Sequence, residues 1–190
     1  NACQTVRRPP AFYAHLMTAE QASPGPLEAL CKPLLAAYES LRAEASDKLL
    51  APGGLTTAER IVRSRGLTHA PELAQVALLP DDLNNDEALF PKGELDQDLQ
   101  QVDLREKNSW RLRLDEVETV ELLEVQLVNA VAPYVLNARL KPLMLNVESA
   151  DKHIVNVSAV EGQFYRNFKT DKHPHTNMAK AALNMMTRTS

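Results

Sequence analysis

The sequence predicts an α/β domain on a parallel sheet, mostly helical over the residues present. Three patterns predict it. The longest helical signal follows Trp110, a β-branched run comes at Ile154, Val155 and Val157, and a second patterned helix closes the chain. Long helix, buried strand, helix is the order in which parallel sheets are wound, because parallel neighbours need a crossover between them.

The elements follow in chain order. The first dozen residues read as a loop, with Pro9 and Pro10 after Arg7 and Arg8, and "SPGP" at 23–26 is a break. Leu27, Leu30, Leu34, Tyr38 and Leu41 then stand near helical spacing, with Pro33 counting against an uninterrupted helix. "APGG" at 51–54 breaks the chain again. Thr56 and Glu59 have capping-box spacing for a short helix that Gly66 can end. Residues 80–108 are acidic and turn-rich and read as an irregular surface segment. In the long helix, Asp115 and Glu118 are candidate caps. Val117, Val120, Leu123, Leu127, Ala130, Tyr134 and Leu140 make a broad apolar stripe, which Pro133 should kink. Nearly consecutive β-branched residues in "HIVNVSAVEG" suit a strand buried on both faces. The last helix, from about Thr176, has Met178, Ala181, Ala182, Met185 and Met186 on its apolar side.

Composition narrows the class. With 44% hydrophobic and 24% charged residues, the 190-residue chain can bury a core. A net charge of −4 offers no basic field for nucleic acid or an anionic membrane. No unbroken run of about 18 apolar residues is present, so no bilayer span is expected. Cys3 and Cys31 form no spaced framework and read as free thiols, which points to a cytoplasmic protein. The pair His173 and His175 lacks further ligands, so no metal is expected.

Three stretches resemble the short-chain dehydrogenase/reductase family. "NACQT" at the start is similar to the end of its Asn-Asn-Ala-Gly motif, which follows the fourth strand. "VQLVNAVAPYVLNARLKPLM" resembles its fourth helix, with the helix asparagine at Asn129. "HIVNVSAVEG" followed by "NMAKAALNMMT" resembles its fifth strand and fifth helix. The resemblance implies a partial Rossmann-like, doubly wound parallel sheet, one domain over 1–190 interrupted by a long, largely helical insertion at 18–108. It also implies a longer parent chain, because the glycine-rich turn that receives the cofactor pyrophosphate has no counterpart here. The 190 residues alone are then expected to be inactive and poorly stable, with an unpaired strand.

The resemblance implies an NAD- or NADP-dependent oxidoreductase that moves hydride to or from a small carbonyl or alcohol. Lys180 matches the lysine that holds the cofactor ribose. Asn1 and Ala2 fall in the cofactor-binding motif, and Asn129 matches the asparagine of the proton relay. The tyrosine position, four before Lys180, is Thr176. A threonine hydroxyl is too weak an acid and too short to copy a phenol, and reads otherwise as a helix N-cap. The strand-end pair is Ser158-Ala159, with alanine in the catalytic slot, so Ser158 serves only if the register shifts by one. The loop from Ala159 to Thr176 is longer than usual for the family. It offers His175 first, then His173 and Tyr165, as substitute acids. Arg7 and Arg8 can meet an anionic substrate or form a solvated turn. The alternative reading is a lapsed dehydrogenase, a dinucleotide-binding or dimerising scaffold. Family habit places a homodimer interface on the helices around 117–140 and 176–189.

Overall fold

The structure, a computed structural model, describes residues 6–22, 29–50, 70–73, 75–84, 86–97 and 99–190. Asn1, Ala2, Cys3, Leu27 and the helix expected between Thr56 and Gly66 lie outside them. The chain divides into two compact units: Asn1–Arg8 with Arg105–Ser190, and Pro9–Leu104.

The predicted sheet is not there. Among the described residues there is no β-strand, only one isolated antiparallel bridge, Leu95 to Gln101. Residues 152–158, expected as a strand buried on both faces, run as an unpaired segment. Ile154, Val155 and Val157 are all exposed. A β-branched run has strand geometry by preference, but a strand exists only through a neighbour's hydrogen bonds. This segment instead gives its polar groups to a helix. The architecture is helical with loops, not a Rossmann-like α/β sheet.

In the Pro9–Leu104 unit, α1 (Pro10–Tyr13) opens with proline, where a missing N–H costs nothing. Its Phe12 is buried edge-on against Phe90, ring centroids 6.3 Å apart. A 3-10 turn leads into α2 (Met17–Glu20), whose following Gln21 donates to Glu72 of α4 (Ala70–Leu73) at 3.2 Å. Between these in sequence, α3 (Lys32–Leu50) begins one residue before Pro33. The proline therefore sits in the first turn and breaks nothing. The irregular segment is held by Asp82, which is buried and accepts the N–H groups of Leu78 and Leu79 at 2.8 and 2.9 Å.

The other unit is built on a 27-residue helical run, Thr119–Leu145. It comprises α5 (Thr119–Gln126), a π turn (Leu127–Val131) and α6 (Ala132–Leu145). Glu118 stands at the N-cap without a side-chain capping bond, so neither expected cap is used. The π turn has a sequence cause. Pro133 cannot bond the carbonyl four residues back, which belongs to Asn129, and its ring crowds that carbonyl. Widening by one residue relieves the clash, and the Ala132 N–H reaches back to Leu127. The Asn129 carboxamide then donates to the carbonyl of Val125 at 3.0 Å.

The buried face of this run is not the predicted apolar stripe. Leu123, Leu127, Tyr134 and Leu140 are exposed, while Glu121, Val125, Asn129 and Pro133, spaced by four, face inward. The last helix, α7 (Pro174–Thr189), repeats the inversion. His175, Thr176, Ala179, Lys180 and Leu183 are buried, and Met178 and Met185 are exposed. Small Ala179 lets α7 approach the other elements, and the polar residues around it are retained because each finds a partner. By length and composition alone, Thr119–Leu145 is apolar enough to cross a membrane, with a mean hydropathy of 1.2 over its most apolar window. Its inward face bears Glu121 and Asn129, and 22% of that window is buried.

Candidate functional site

Helix α7 carries most of the candidate residues, and its geometry sorts them. Thr176 and Lys180, four residues apart, lie on one side of the helix and are both buried. The Lys180 ammonium donates to the carbonyl of Val157 at 3.0 Å, and the side chain is 2% exposed. One residue along, the Ser158 hydroxyl donates to the carbonyl of Lys180 at 3.4 Å. The end of the unpaired segment is therefore clipped to α7 by a reciprocal pair of side chain–backbone bonds. A second link runs from Asn137 to Asn156 at 3.2 Å and from Asn156 to Thr187 at 3.0 Å. The π turn bearing Asn129 packs against the same helix.

The turn Val160–Gly162 meets α7 so closely that only glycine fits. A Cβ on Gly162 would lie 2.7 Å from the Lys180 carbonyl carbon and 2.9 Å from the Ala181 nitrogen. This contact places the loop that follows, residues 163–172, beside the start of α7.

His175 faces elsewhere. Five residues before Lys180, it is rotated roughly 140° from it about the helix axis. Its Nε2 lies 3.1 Å from Glu121 Oε1, with side chains 1% and 8% exposed. A carboxylate only accepts, so Nε2 is the donor. The Ser109 hydroxyl meets the same Glu121 oxygen and the Arg7 carbonyl, the latter at 2.9 Å. Burial alone would raise the Glu121 pKa. The hydrogen bonds from His175 and Ser109, with the charges of His175 and Arg7, outweigh it and hold the carboxyl below its ordinary value of 4.5. Arg7 itself pairs with Glu124, so it is an internal residue and not a solvated turn.

His173 is the residue whose importance the sequence understates. Helix α7 begins at Pro174, earlier than expected, which makes His173 the N-cap and moves Thr176 inside the first turn. The His173 backbone is left-handed, φ 42° and ψ 48°, a region a histidine occupies at some cost. Its N–H donates to the Leu112 carbonyl at 2.7 Å, and its ring stands edge-on to Trp110, centroids 5.2 Å apart. Thr176 Oγ1 donates to the His173 carbonyl at 2.8 Å and lies 3.0 Å from His173 Nδ1. Tyr165, the other candidate acid, is 97% exposed.

A groove of about 1020 Å³ opens between α6, residues 152–156 and the end of α7, lined by Tyr134, Lys141, Ile154, Asn156 and Met185 among others. None of Lys180, Asn129, Ser158, Thr176 or His175 lines it. A dinucleotide ribose is a run of hydroxyls, and an ammonium such as that of Lys180 is a donor chemically suited to it. As packed, the Lys180 ammonium is enclosed and places one of its three hydrogens on the Val157 carbonyl. Asn1 and Ala2, the other expected cofactor contacts, lie outside the described residues.

Among known proteins, a viral one shares part of the sequence. An 87-residue stretch, 46% of this chain, is 37% identical to a protein named "Uncharacterized protein R665" of Acanthamoeba polyphaga mimivirus. The match covers 18% of that protein's length, so this chain spans only a small part of the relative. No family model matches the chain. No solved structure matches it.

Proposed function

We propose that the protein is an NAD(P)-dependent oxidoreductase of short-chain dehydrogenase/reductase type, acting on a small carbonyl or alcohol. The residue patterns around Asn129, Ser158 and Lys180 suggest the reading. The observation that supports it is the assembly on α7: a buried lysine one turn after Thr176, clipped to the Val157–Ser158 segment and packed by the π turn of Asn129. π turns in helices are frequent at functional sites. The nicotinamide, when bound, supplies or accepts the hydride. The role of Lys180 is to hold ribose hydroxyls, and that of Asn129 is to keep the helix backbone open at the π turn.

A second reading, a lapsed dehydrogenase serving as a dinucleotide-binding or dimerising scaffold, is favoured by Ala159 and by the commitment of the Lys180 ammonium to a backbone carbonyl. The exposed rows at Leu127, Tyr134, Met178 and Met185 would then be covered by a second copy through the helices around 117–140 and 176–189.

One experiment separates them. The full-length protein is assayed with NADPH and NADH against a panel of aldehydes, ketones and alcohols, beside Lys180→Ala. Turnover that falls by about 100-fold or more in the variant supports catalysis. Cofactor binding without turnover at any pH supports the scaffold.

A further inference from the structure

We propose that the groove between α6, residues 152–156 and the end of α7 is a binding site for a single-chain amphipathic anion, a medium-chain fatty carboxylate. Its tail lies along the apolar walls and its head group meets Lys141 and Lys152. This site needs neither the oxidoreductase reading nor a nucleotide.

Three one-sided patterns meet there. Tyr134, Ala138, Lys141 and Leu145 recur every three or four residues, so they form one stripe of α6, about 16 Å long. Ala182 and Met185 stand at the same spacing on α7. Lys152, Ile154 and Asn156 alternate, so they share one side of the extended segment. Asn156 is half-buried and ties the walls together, through Asn137 of α6 at 3.2 Å and Thr187 of α7 at 3.0 Å. The groove is thus formed before any ligand arrives, as small-molecule sites usually are.

Size, polarity and charge identify the occupant. At about 1020 Å³ the groove stands at the upper end of small-molecule sites. Tyr134, Leu145, Ile154 and Met185 leave apolar surface exposed along it, and a thioether adapts readily to a flexible chain. Among the described residues, the charged side chains that line it are Lys141 and Lys152, with no Asp or Glu. Neither lysine has an ion pair among those residues, and the neighbouring Asp151 is paired with His153 at 2.6 Å. Because Asn137 meets Asn156, the chain reverses between Leu145 and Lys152. Lys141, one turn beyond Asn137, and Lys152, four residues before Asn156, therefore lie toward the same end. An apolar trough with two unpaired ammonium groups at one end matches one tail and one negative head. A second copy docked through this same face would bring the same lysines and no acid to meet them.

Calorimetric titration of the full-length protein with dodecanoate, below its micelle concentration, should show one saturable site. Decanoate is expected to bind about 5-fold more weakly, less than full burial of two methylenes would give, because the groove is open to solvent. Lys141→Gln combined with Lys152→Gln should weaken dodecanoate about 5-fold, remove its salt dependence and leave dodecanol unaffected. Met185→Asp and Leu145→Asp, at exposed positions on two different walls, should each abolish binding of both ligands. Leu123→Asp, exposed but outside the groove, should not. Wild-type protein with no saturable site overturns the proposal. So does dodecanoate binding that the lysine pair leaves unchanged, or that survives both wall aspartates, which is partitioning onto exposed apolar surface. A wild-type dimer that Met185→Asp splits, with no dodecanoate bound, overturns it in favour of a second copy. Sedimentation with phosphatidylglycerol vesicles, without dodecanoate binding, overturns it in favour of a membrane. None of these outcomes involves a nucleotide, so each leaves the oxidoreductase reading where it stood.

Discussion

Truncating His175 to alanine is expected to destabilise its unit by about 3–5 kcal/mol, because it leaves the Glu121 carboxylate buried without its principal partner. Both side chains are almost fully enclosed, so water cannot replace the lost donor. Ser109 and the field of Arg7 remain, and they neutralise only part of the charge. Chemical denaturation of the wild type, His175→Ala, Glu121→Gln and the double variant closes a thermodynamic cycle. The double variant should recover part of the loss, since it removes the orphaned charge. Equal and additive effects would show that the pair is not coupled. The same pair sets an acid limit. The folded Glu121 pKa lies below its unfolded value, near 4.5, so its contribution is fully present above that value. It disappears as pH falls through the lower folded pKa. Glu121→Gln should flatten that part of the stability profile, while Lys107→Ala, which breaks only an exposed pair with Glu116, should leave it unchanged.

Gly162→Ala is expected to be the most damaging small substitution, at about 1–3 kcal/mol or more. Two of the three atoms that a new methyl would meet are backbone atoms of Lys180 and Ala181, so no rotamer change relieves the overlap. The turn must instead withdraw from α7, which pulls on the bonds between Val157, Ser158 and Lys180. Thermal unfolding reads the loss. Hydrogen exchange should show faster opening at the Lys180 turn. At Gly93, by contrast, an added methyl would meet no atom within 4 Å, and its cost would come from φ +83° alone. An alanine at 162 that unfolds with the wild type would mean that the turn and helix are not in contact.

Part of this site is legible in the residues. The presence of both long helices, the disturbance at Pro133 and the lysine four after Thr176 can all be read from spacing, since each depends on neighbours a few positions away. Asn129 as a bridge at the proline kink is legible for the same reason. The burial pattern is not. Leu123, Leu127, Tyr134, Met178 and Met185 look like inward faces and are exposed, whereas Glu121, Asn129, His175 and Lys180 look like surface residues and are enclosed. Hydrophobic periodicity reports which face avoids water in general. A face of polar residues can be buried when each is matched by a group distant in sequence: Ser109 and His175 for Glu121, Val157 for Lys180.

Among the described residues the predicted sheet is absent for a related reason. Ile154, Val155 and Val157 favour extended backbone, and the backbone there is unpaired. A sheet needs a second strand at hydrogen-bonding distance, which no local preference supplies. His173 is hard to single out in the sequence because its role comes from where α7 starts. The helix opens at Pro174, ahead of Thr176, which turns a loop histidine into the residue bonded to Thr176. By itself the sequence determined the two long helices, the disturbance at Pro133 and the chemical types available, because those follow from backbone preferences over a few residues. Only the tertiary structure decided which side chains are enclosed, which histidine shares a turn with Thr176, and that the β-branched run pairs with no strand among the described residues, because each of these depends on how distant parts of the chain come together.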